Sequence, residues 1–191
     1  MVNIINLMTI LRIFLALIIS FLIIIGESYV IALVLFFFAG LSDYLDGFLA
    51  RKYNATSQIG EILDPIADKI IVATALILLV MDQTIKSYEV IAAIIILTRE
   101  ILISGLREFL AKGKINLPVS NLSKYKTFLQ MLSISLLLTG ETGNKIINFQ
   151  DYNAQTIGII LLWLSAFITL YTAYDYLRKG IDHAISEDSK D

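Results

Sequence analysis

Four aspartates between two long apolar runs are the residues whose type and spacing suggest chemistry in this chain. They are Asp43, Asp46, Asp64 and Asp68. Residues three or four positions apart on an α-helix lie on the same face. Two helices facing each other would therefore direct all four carboxylates into one space. Carboxylate oxygens suit Mg²⁺ or Mn²⁺ better than zinc or copper, so the pattern predicts a site for hard divalent cations.

An aspartate in an apolar helix also has simpler explanations, such as a helix N-cap or a hydrogen bond between helices. Asp64 before Pro65 has the pattern of an N-cap with proline at the first helical position. This explanation accounts for one aspartate of the four. Each ionised aspartate facing lipid at mid-bilayer would cost roughly 2.5 to 3.5 kcal/mol, so we expect the group to face the protein interior and bind cations.

Small residues occupy the same helix faces as the aspartates. Gly47 and Ala50 follow the first pair, and Gly60 precedes the second. They would leave space for a ligand beside the metal, or they would allow close helix packing, and the spacing alone favours neither. Arg51, at the end of the first face, could bind a phosphate or mark the membrane boundary.

The composition indicates that these helices lie in a membrane. The chain has 191 residues, of which 57% are hydrophobic and 17% charged, and its mean hydropathy is +0.77. These values are far from those of a soluble domain. Six apolar segments approach the length of about 20 residues that a helix needs to cross a bilayer. They are residues 7–25, 29–50, 62–81, 88–110, 122–139 and 154–177.

These segments predict an all-α integral membrane protein with six transmembrane helices. Backbone groups in lipid must be hydrogen-bonded within the structure, and no alternation of polar and apolar residues suggests a barrel. The connections are short, which leaves residues 1–180 as one membrane domain, followed by a polar tail at 181–191. The start of the chain lacks the pattern of a cleaved signal peptide, so we expect the first segment to remain. The absence of cysteine excludes disulfides, thiolate metal sites and thiol nucleophiles.

The distribution of lysine and arginine predicts the orientation. Eleven of these residues fall in one set of loops and ends, and Lys86 and Lys145 fall in the other. Positively charged residues of membrane proteins concentrate on the cytoplasmic side. We therefore expect a protein of the cell (inner) membrane whose termini and aspartate loop face the cytoplasm. The basic residues therefore collect on the same side as the carboxylates.

The aspartate stretch resembles a known family signature without a gap or a substitution. It reads Asp43-x2-Asp46-Gly47-x2-Ala50-Arg51-x8-Gly60-x3-Asp64-x3-Asp68, as in the CDP-alcohol phosphatidyltransferases. The resemblance implies a six-helix membrane enzyme, usually a homodimer, that joins an alcohol to the phosphatidyl group of CDP-diacylglycerol and releases CMP. It implies two ions of Mg²⁺ or Mn²⁺ on the aspartates, with Asp68 as the general base. It also implies that CDP-diacylglycerol binds at Gly47, Ala50, Arg51 and Gly60.

Elementary chemistry agrees with these implied roles. Two divalent cations can neutralise a diphosphate and stabilise the leaving CMP, while a carboxylate takes the proton of the attacking alcohol. A direct attack of this kind needs no covalent enzyme intermediate, which is consistent with the lack of cysteine.

Basic residues in the second half of the chain bear on the identity of the acceptor alcohol. Arg99, Arg107, Lys124 and Lys126 bring several cations near the metal site, which suits an acceptor that carries a phosphate. Anchoring at the membrane surface is the alternative for the lysines.

Three further segments resemble those of family members that use sn-glycerol 3-phosphate. They are TREILISGLREFLA, SKYKTFLQM and the opening NLMTILR, which adds Thr9 and Arg12 to the expected acceptor site. The resemblance implies transfer to sn-glycerol 3-phosphate, giving phosphatidylglycerophosphate in phospholipid biosynthesis. Serine, inositol phosphate and phosphatidylglycerol are alternative acceptors. A divalent-cation transporter is a further alternative, although its acidic groups would have to reach the far side of the membrane.

Overall fold

The computed structural model describes residues 2–26, 29–53, 58–112, 121–149 and 152–188. These residues form seven helices and one short pair of strands, namely α1 (Val2–Ile24), α2 (Tyr29–Tyr53), α3 (Gln58–Met81), α4 (Glu89–Lys112), α5 (Asn121–Leu137), α6 (Gly140–Ile146), β1 (Asn148–Phe149), β2 (Tyr152–Asn153) and α7 (Ala154–Asp188). The two strands are antiparallel, with Asn148 opposite Asn153 and Phe149 opposite Tyr152.

Six of the helices are long and coincide with the six apolar segments of the sequence, so the all-α prediction is confirmed. Helix α6 and the strand pair lie in the connection before α7, where the sequence has no periodic pattern that predicts them. Helix α7 continues to Asp188 and therefore includes most of the segment expected to be a polar tail. The division into a domain at 1–180 and a tail stays a prediction.

The membrane character of the helices is only partly visible in their composition. Within the described residues, Asn6–Ile24 and Ala154–Arg178 are long and apolar enough to cross a membrane, and Tyr29–Asp43 is a shorter apolar stretch. Charged residues such as Asp68 in α3 and Arg99 in α4 interrupt other helices. The number of six spans therefore stays a prediction.

Large apolar side chains cover the outside of the helices. Phe14, Phe21, Phe37 and Phe167 are each more than half exposed, and many leucines and isoleucines accompany them. A soluble monomer rarely exposes apolar surface on this scale. An outer surface of this kind fits contact with lipid.

The interior is built from two groups of helices that share one core. Helix α1 packs against α2 and α3, while α7 packs against α4 and α5. Side chains such as Ile19, Phe36, Leu76, Ile134 and Leu162 are fully buried where these groups meet. The core lies beside the aspartates, so it holds the helices that carry them in fixed relative positions.

Two glycines lie at close approaches between helices, one between the two groups and one within the second group. A Cβ atom added to Gly40 of α2 would lie 2.8 Å from Cε of Met131 on α5. A Cβ atom added to Gly158 of α7 would lie 2.8 Å from Cδ2 of Leu137, also on α5. Helix α5 is therefore in close contact with α2 on one side and with α7 on the other.

The interpretation of Asp64 as a helix N-cap is wrong. Helix α3 begins at Gln58, so Asp64 lies inside the helix and Pro65 is an interior proline. Proline has no N–H to complete the helical hydrogen-bond ladder at this turn. The Pro65 carbonyl accepts a 2.6 Å hydrogen bond from Nζ of Lys69. A local pattern indicates where a helix can start, whereas the contacts of α3 with its neighbours decide where it does start.

Candidate active site

One cavity of about 670 Å³ brings the predicted acidic and basic residues together. Helices α2 and α3 contribute Asp43, Asp64 and Asp68 to its wall, and small residues of α2 next to Asp43 line it as well. The side chain of Asp46 lies outside the described part of the structure. Three of the four predicted aspartates thus share one space, as their spacing on two helices predicts.

Helix α1 supplies the direct partners of these carboxylates. Nη1 of Arg12 lies 3.0 Å from Oδ1 of Asp43 and also donates to Oδ1 of Asp68. Oγ1 of Thr9 donates a 2.5 Å hydrogen bond to Oδ1 of Asp64. Thr9 and Arg12 are three residues apart, so they share one face of α1, and both are almost completely buried. Helix α1 therefore fixes the orientation of three aspartates.

The single positive charge of the Arg12 guanidinium lies beside two carboxylates. Arg12 is 1% exposed, and a buried cation is stable only where opposite charges and hydrogen bonds surround it. One nitrogen of Arg12 serves oxygens from both α2 and α3, which ties these helices together at the cavity. The sequence places Arg12 in the expected acceptor site, and the structure places it on the aspartates.

The donor set fits Mg²⁺ or Mn²⁺ in its chemistry. The available ligands are carboxylate oxygens, which are the hard ligands that these ions take. Among the described side chains, no three acidic or histidine groups stand close enough to hold a metal ion in this conformation, and Asp46 is outside that set. The position of Arg12 between Asp43 and Asp68 shows that this part of the cavity accommodates a positive charge.

The small residues predicted for the donor site are placed differently from the aspartates. Gly60 is buried and Gly47 is half-buried, but neither is among the described residues that line the cavity. The side chains of Ala50 and Arg51 lie outside the described residues. Gly40, one turn before Asp43, lines the cavity instead. The sequence offers a signal for it, since Gly40 lies on the same face of α2 as Asp43.

The four cations of α4 and α5 that are predicted for the acceptor line the same cavity. They are Arg99 and Arg107 from α4 and Lys124 and Lys126 from α5. Arg99 and Lys126 are buried, while Arg107 and Lys124 are exposed. The cavity therefore has an acidic wall formed by α2 and α3 and a basic wall formed by α4 and α5.

The buried cations of the basic wall are held by partners that the sequence does not identify. Nη2 of Arg99 donates a 3.1 Å hydrogen bond to Oγ1 of Thr172 on α7, and the guanidinium lies 6.0 Å from the centre of the Tyr176 ring. Nζ of Lys126 donates to Oε1 of Glu100, which also lies 3.6 Å from Nη1 of Arg99. One carboxylate thus sets the spacing of two cations at the cavity wall.

This arrangement can hold a ligand that carries more than one anionic group. The acidic wall requires cations between itself and any phosphate, whereas the basic wall can bind a phosphate directly through charge-assisted hydrogen bonds. Apolar side chains, including Ile71, Val72, Ile103 and Phe128, complete the lining. The cavity therefore suits a reaction between a cation-bound phosphate ester and a second phosphate-bearing molecule.

Comparison with known proteins gives a family match over most of the chain. The family model described as CDP-alcohol phosphatidyltransferase matches residues 2–171. That range contains every aspartate and every cation of the cavity.

Curated relatives carry one shared name, CDP-diacylglycerol–glycerol-3-phosphate 3-phosphatidyltransferase. The relative from Rickettsia typhi is 41% identical over 180 residues, which cover 93% of this chain and 97% of that protein. The relative from Rickettsia bellii is 44% identical over 144 residues, or 75% of each chain. The relative from Haemophilus influenzae is 39% identical over 163 residues, or 84% of this chain and 83% of that protein.

Proposed function

Since the chain belongs to the CDP-alcohol phosphatidyltransferase family, we propose that it transfers the phosphatidyl group of CDP-diacylglycerol to sn-glycerol 3-phosphate. The products are phosphatidylglycerophosphate and CMP. The observation that carries this proposal is the single cavity in which Asp43, Asp64 and Asp68 face four cations of α4 and α5. The shared name of the relatives supports the same acceptor.

In the proposed reaction, a hydroxyl of glycerol 3-phosphate attacks the phosphorus that bears diacylglycerol, and the bond from this phosphorus to the CMP oxygen breaks. Asp68 accepts the proton of the attacking hydroxyl. Asp43, Asp46, Asp64 and Asp68 would hold two Mg²⁺ or Mn²⁺ ions, which neutralise the diphosphate and the leaving CMP. Arg12 keeps Asp43 and Asp68 in position, and Thr9 does the same for Asp64.

The acceptor phosphate binds on the basic wall in this proposal. Arg99, Arg107, Lys124 and Lys126 provide guanidinium and ammonium donors, and two of these side chains are buried, where a charge-assisted hydrogen bond is strongest. Thr9 and Arg12 act on the acceptor substrate indirectly, because they orient the aspartates beside which its attacking hydroxyl would lie. Their contacts with these aspartates motivate this role.

The remaining predicted features belong to the donor and to the membrane. Gly47, Ala50, Arg51 and Gly60 are proposed to bind CDP-diacylglycerol, since they follow or precede the aspartates on the same two helices. The enzyme is proposed to be a multi-pass homodimer in the cell (inner) membrane, in contact with membrane lipids and with the cavity open to the cytoplasm. The excess of basic residues on that side supports this orientation.

An acceptor panel tests the proposed function. Purified protein is given CDP-diacylglycerol, Mg²⁺ and one acceptor at a time, namely sn-glycerol 3-phosphate, serine, inositol phosphate or phosphatidylglycerol, and CMP release is measured. We expect turnover with sn-glycerol 3-phosphate, with loss of turnover when EDTA replaces Mg²⁺. Turnover with another acceptor and none with sn-glycerol 3-phosphate would refute the acceptor assignment and leave the transfer chemistry intact.

A further inference from the structure

Gln130 is a buried polar residue that lines the cavity, and the proposed reaction assigns it no role. It lies on α5 four residues after Lys126, so the two side chains share a helix face and are separated by about 6 Å along the axis. Gln130 is 3% exposed and lines the cavity. Its Oε1 atom is buried and has no hydrogen-bond partner among the described residues.

A buried carbonyl oxygen without a partner is uncommon, because it loses its hydrogen bonds to water and gains none in return. The next buried polar residue of α5 shows the usual arrangement. Ser133 faces α7, and its hydroxyl donates a 2.7 Å hydrogen bond to the carbonyl of Gly158. The protein thus satisfies the α5 residue that faces another helix, whereas the residue that faces the cavity keeps an acceptor oxygen available.

Gln130 also lies at a defined end of the cavity. Gln130 and Met131 are the last described residues of α5 that line it, and Met131 is in contact with Gly40 of α2. Asp43 follows Gly40 by one turn, and Lys126 precedes Gln130 by one turn. Gln130 therefore closes one end of the space between the aspartates and the cations.

We propose that the acceptor alcohol has one hydroxyl that does not attack phosphorus, and that this hydroxyl donates a hydrogen bond to Oε1 of Gln130. This inference rests on the proposed function, in which the phosphate of sn-glycerol 3-phosphate binds the basic wall and one hydroxyl attacks. We assign the attack to the C1 hydroxyl, which is primary and less hindered than the C2 hydroxyl. The C2 hydroxyl of the substrate then remains as a hydrogen-bond donor, and Oε1 of Gln130 can receive that hydrogen bond. Gln130 thereby selects a polyol phosphate over a phosphate with a single hydroxyl.

The expected discrimination follows from the same hydrogen bond. An acceptor without the second hydroxyl would leave Oε1 of Gln130 unpaired and would fill the same space without a donor. Sites that bond a substrate hydroxyl reject analogues lacking it, because the protein group then stays unsatisfied. Removing only the amide or only the C2 hydroxyl leaves one buried polar group unpaired, whereas removing both leaves none, so the two losses should not add.

The test compares sn-glycerol 3-phosphate with 3-hydroxypropyl phosphate, which lacks the C2 hydroxyl, as acceptors for CMP release. We expect the unmodified enzyme to favour sn-glycerol 3-phosphate by at least about tenfold in kcat/KM. Gln130→Met, which keeps the length of the side chain without its amide, should lower kcat/KM for sn-glycerol 3-phosphate to the level of the analogue. Its kcat/KM for the analogue should not fall, because no polar group is then left unpaired, and its KM for CDP-diacylglycerol should stay unchanged. Ser133→Ala, on the same helix but bonded to α7, should keep the preference of the unmodified enzyme.

Two outcomes would overturn the role of Gln130. The first is equal use of both acceptors by the unmodified enzyme, a measurement that needs no variant and holds even if Gln130→Met does not fold. The second is a folded Gln130→Met enzyme that retains the preference for sn-glycerol 3-phosphate. An unmodified enzyme that releases CMP with neither acceptor would refute the proposed function itself, which separates that failure from failure of the Gln130 assignment.

Discussion

Replacement of Arg12 by methionine should separate the contribution of α1 to the aspartate cluster from the chemistry of the reaction. Arg12 is 1% exposed, and its Nη1 serves both Asp43 and Asp68. Methionine keeps much of the side-chain length and apolar contact while removing the charge. The two carboxylates would then repel each other without a shared cation.

The magnitude follows from the exposure of the partners. Breaking a fully buried ion pair costs about 3–5 kcal/mol. The side chains of Asp43 and Asp68 are 47% and 45% exposed, so water can solvate both once Arg12 is lost. We therefore expect Arg12→Met to lower the free energy of unfolding by about 2 kcal/mol in the absence of divalent cations. For a chain of this length, that corresponds to a fall in Tm of about 4–8 °C.

The assay is thermal unfolding of the detergent-solubilised protein, in EDTA and again in Mg²⁺. A ligand that binds only the folded state raises Tm. Because Arg12 offsets part of the negative charge of Asp43 and Asp68, its loss leaves more charge for Mg²⁺ to offset, and we expect Mg²⁺ to raise the Tm of Arg12→Met more than that of the unmodified protein. Arg107→Met is the matched control, since Arg107 lines the same cavity but is exposed and lies on the basic wall. It should change neither Tm nor the Mg²⁺ response.

Two results would refute this reasoning. A Tm of Arg12→Met equal to that of the unmodified protein in EDTA would show that the contacts of Arg12 with Asp43 and Asp68 contribute no stability. An equal rise in Tm with Mg²⁺ for both proteins would show that Arg12 and the metal do not share the carboxylates.

Three further substitutions probe other parts of the cavity. Asp68→Asn should lower the rate of CMP release by at least about 10² while CDP-diacylglycerol still binds in the presence of Mg²⁺, and near-normal turnover would remove Asp68 from the role of base. Arg107→Ala should raise the KM for sn-glycerol 3-phosphate at least about tenfold, which corresponds to about 1.4 kcal/mol. Arg107→Lys should restore only part of the affinity for sn-glycerol 3-phosphate. An unchanged KM in Arg107→Ala would place Arg107 outside the acceptor site. Gly40→Leu should reduce both Tm and turnover, because the new side chain would clash with Met131 at the contact between α2 and α5. Normal Tm and normal turnover would show that Met131 can move aside without loss of stability or activity.

The amino-acid sequence by itself determines the helices and the acidic half of the site. Six long apolar segments predict six long helices because a helix forms from local hydrogen bonds and needs only length and suitable side chains. Asp43, Asp64 and Asp68 line one cavity, and the i, i+4 spacing of Asp64 and Asp68 predicts that these two share one face of α3 without reference to any other element. The i, i+3 pair of Asp43 and Asp46 stays a prediction, since the side chain of Asp46 lies outside the described residues. The start of α3 is the local feature that this reasoning places wrongly, because packing extends the helix past Asp64.

The tertiary structure alone decides which side chains touch across helices. Arg12 and Asp68 are 56 residues apart, and Lys126 and Glu100 are 26 residues apart. The types of these residues indicate charge, but any of several basic side chains could pair with each carboxylate. The amide oxygen of Gln130 has no hydrogen-bond partner in the described part of the chain, and the sequence does not predict this, because a glutamine on an apolar helix has no distinguishing pattern. Pairing across helices depends on their relative rotation and depth, which the packing of all the helices sets together and which no local spacing encodes.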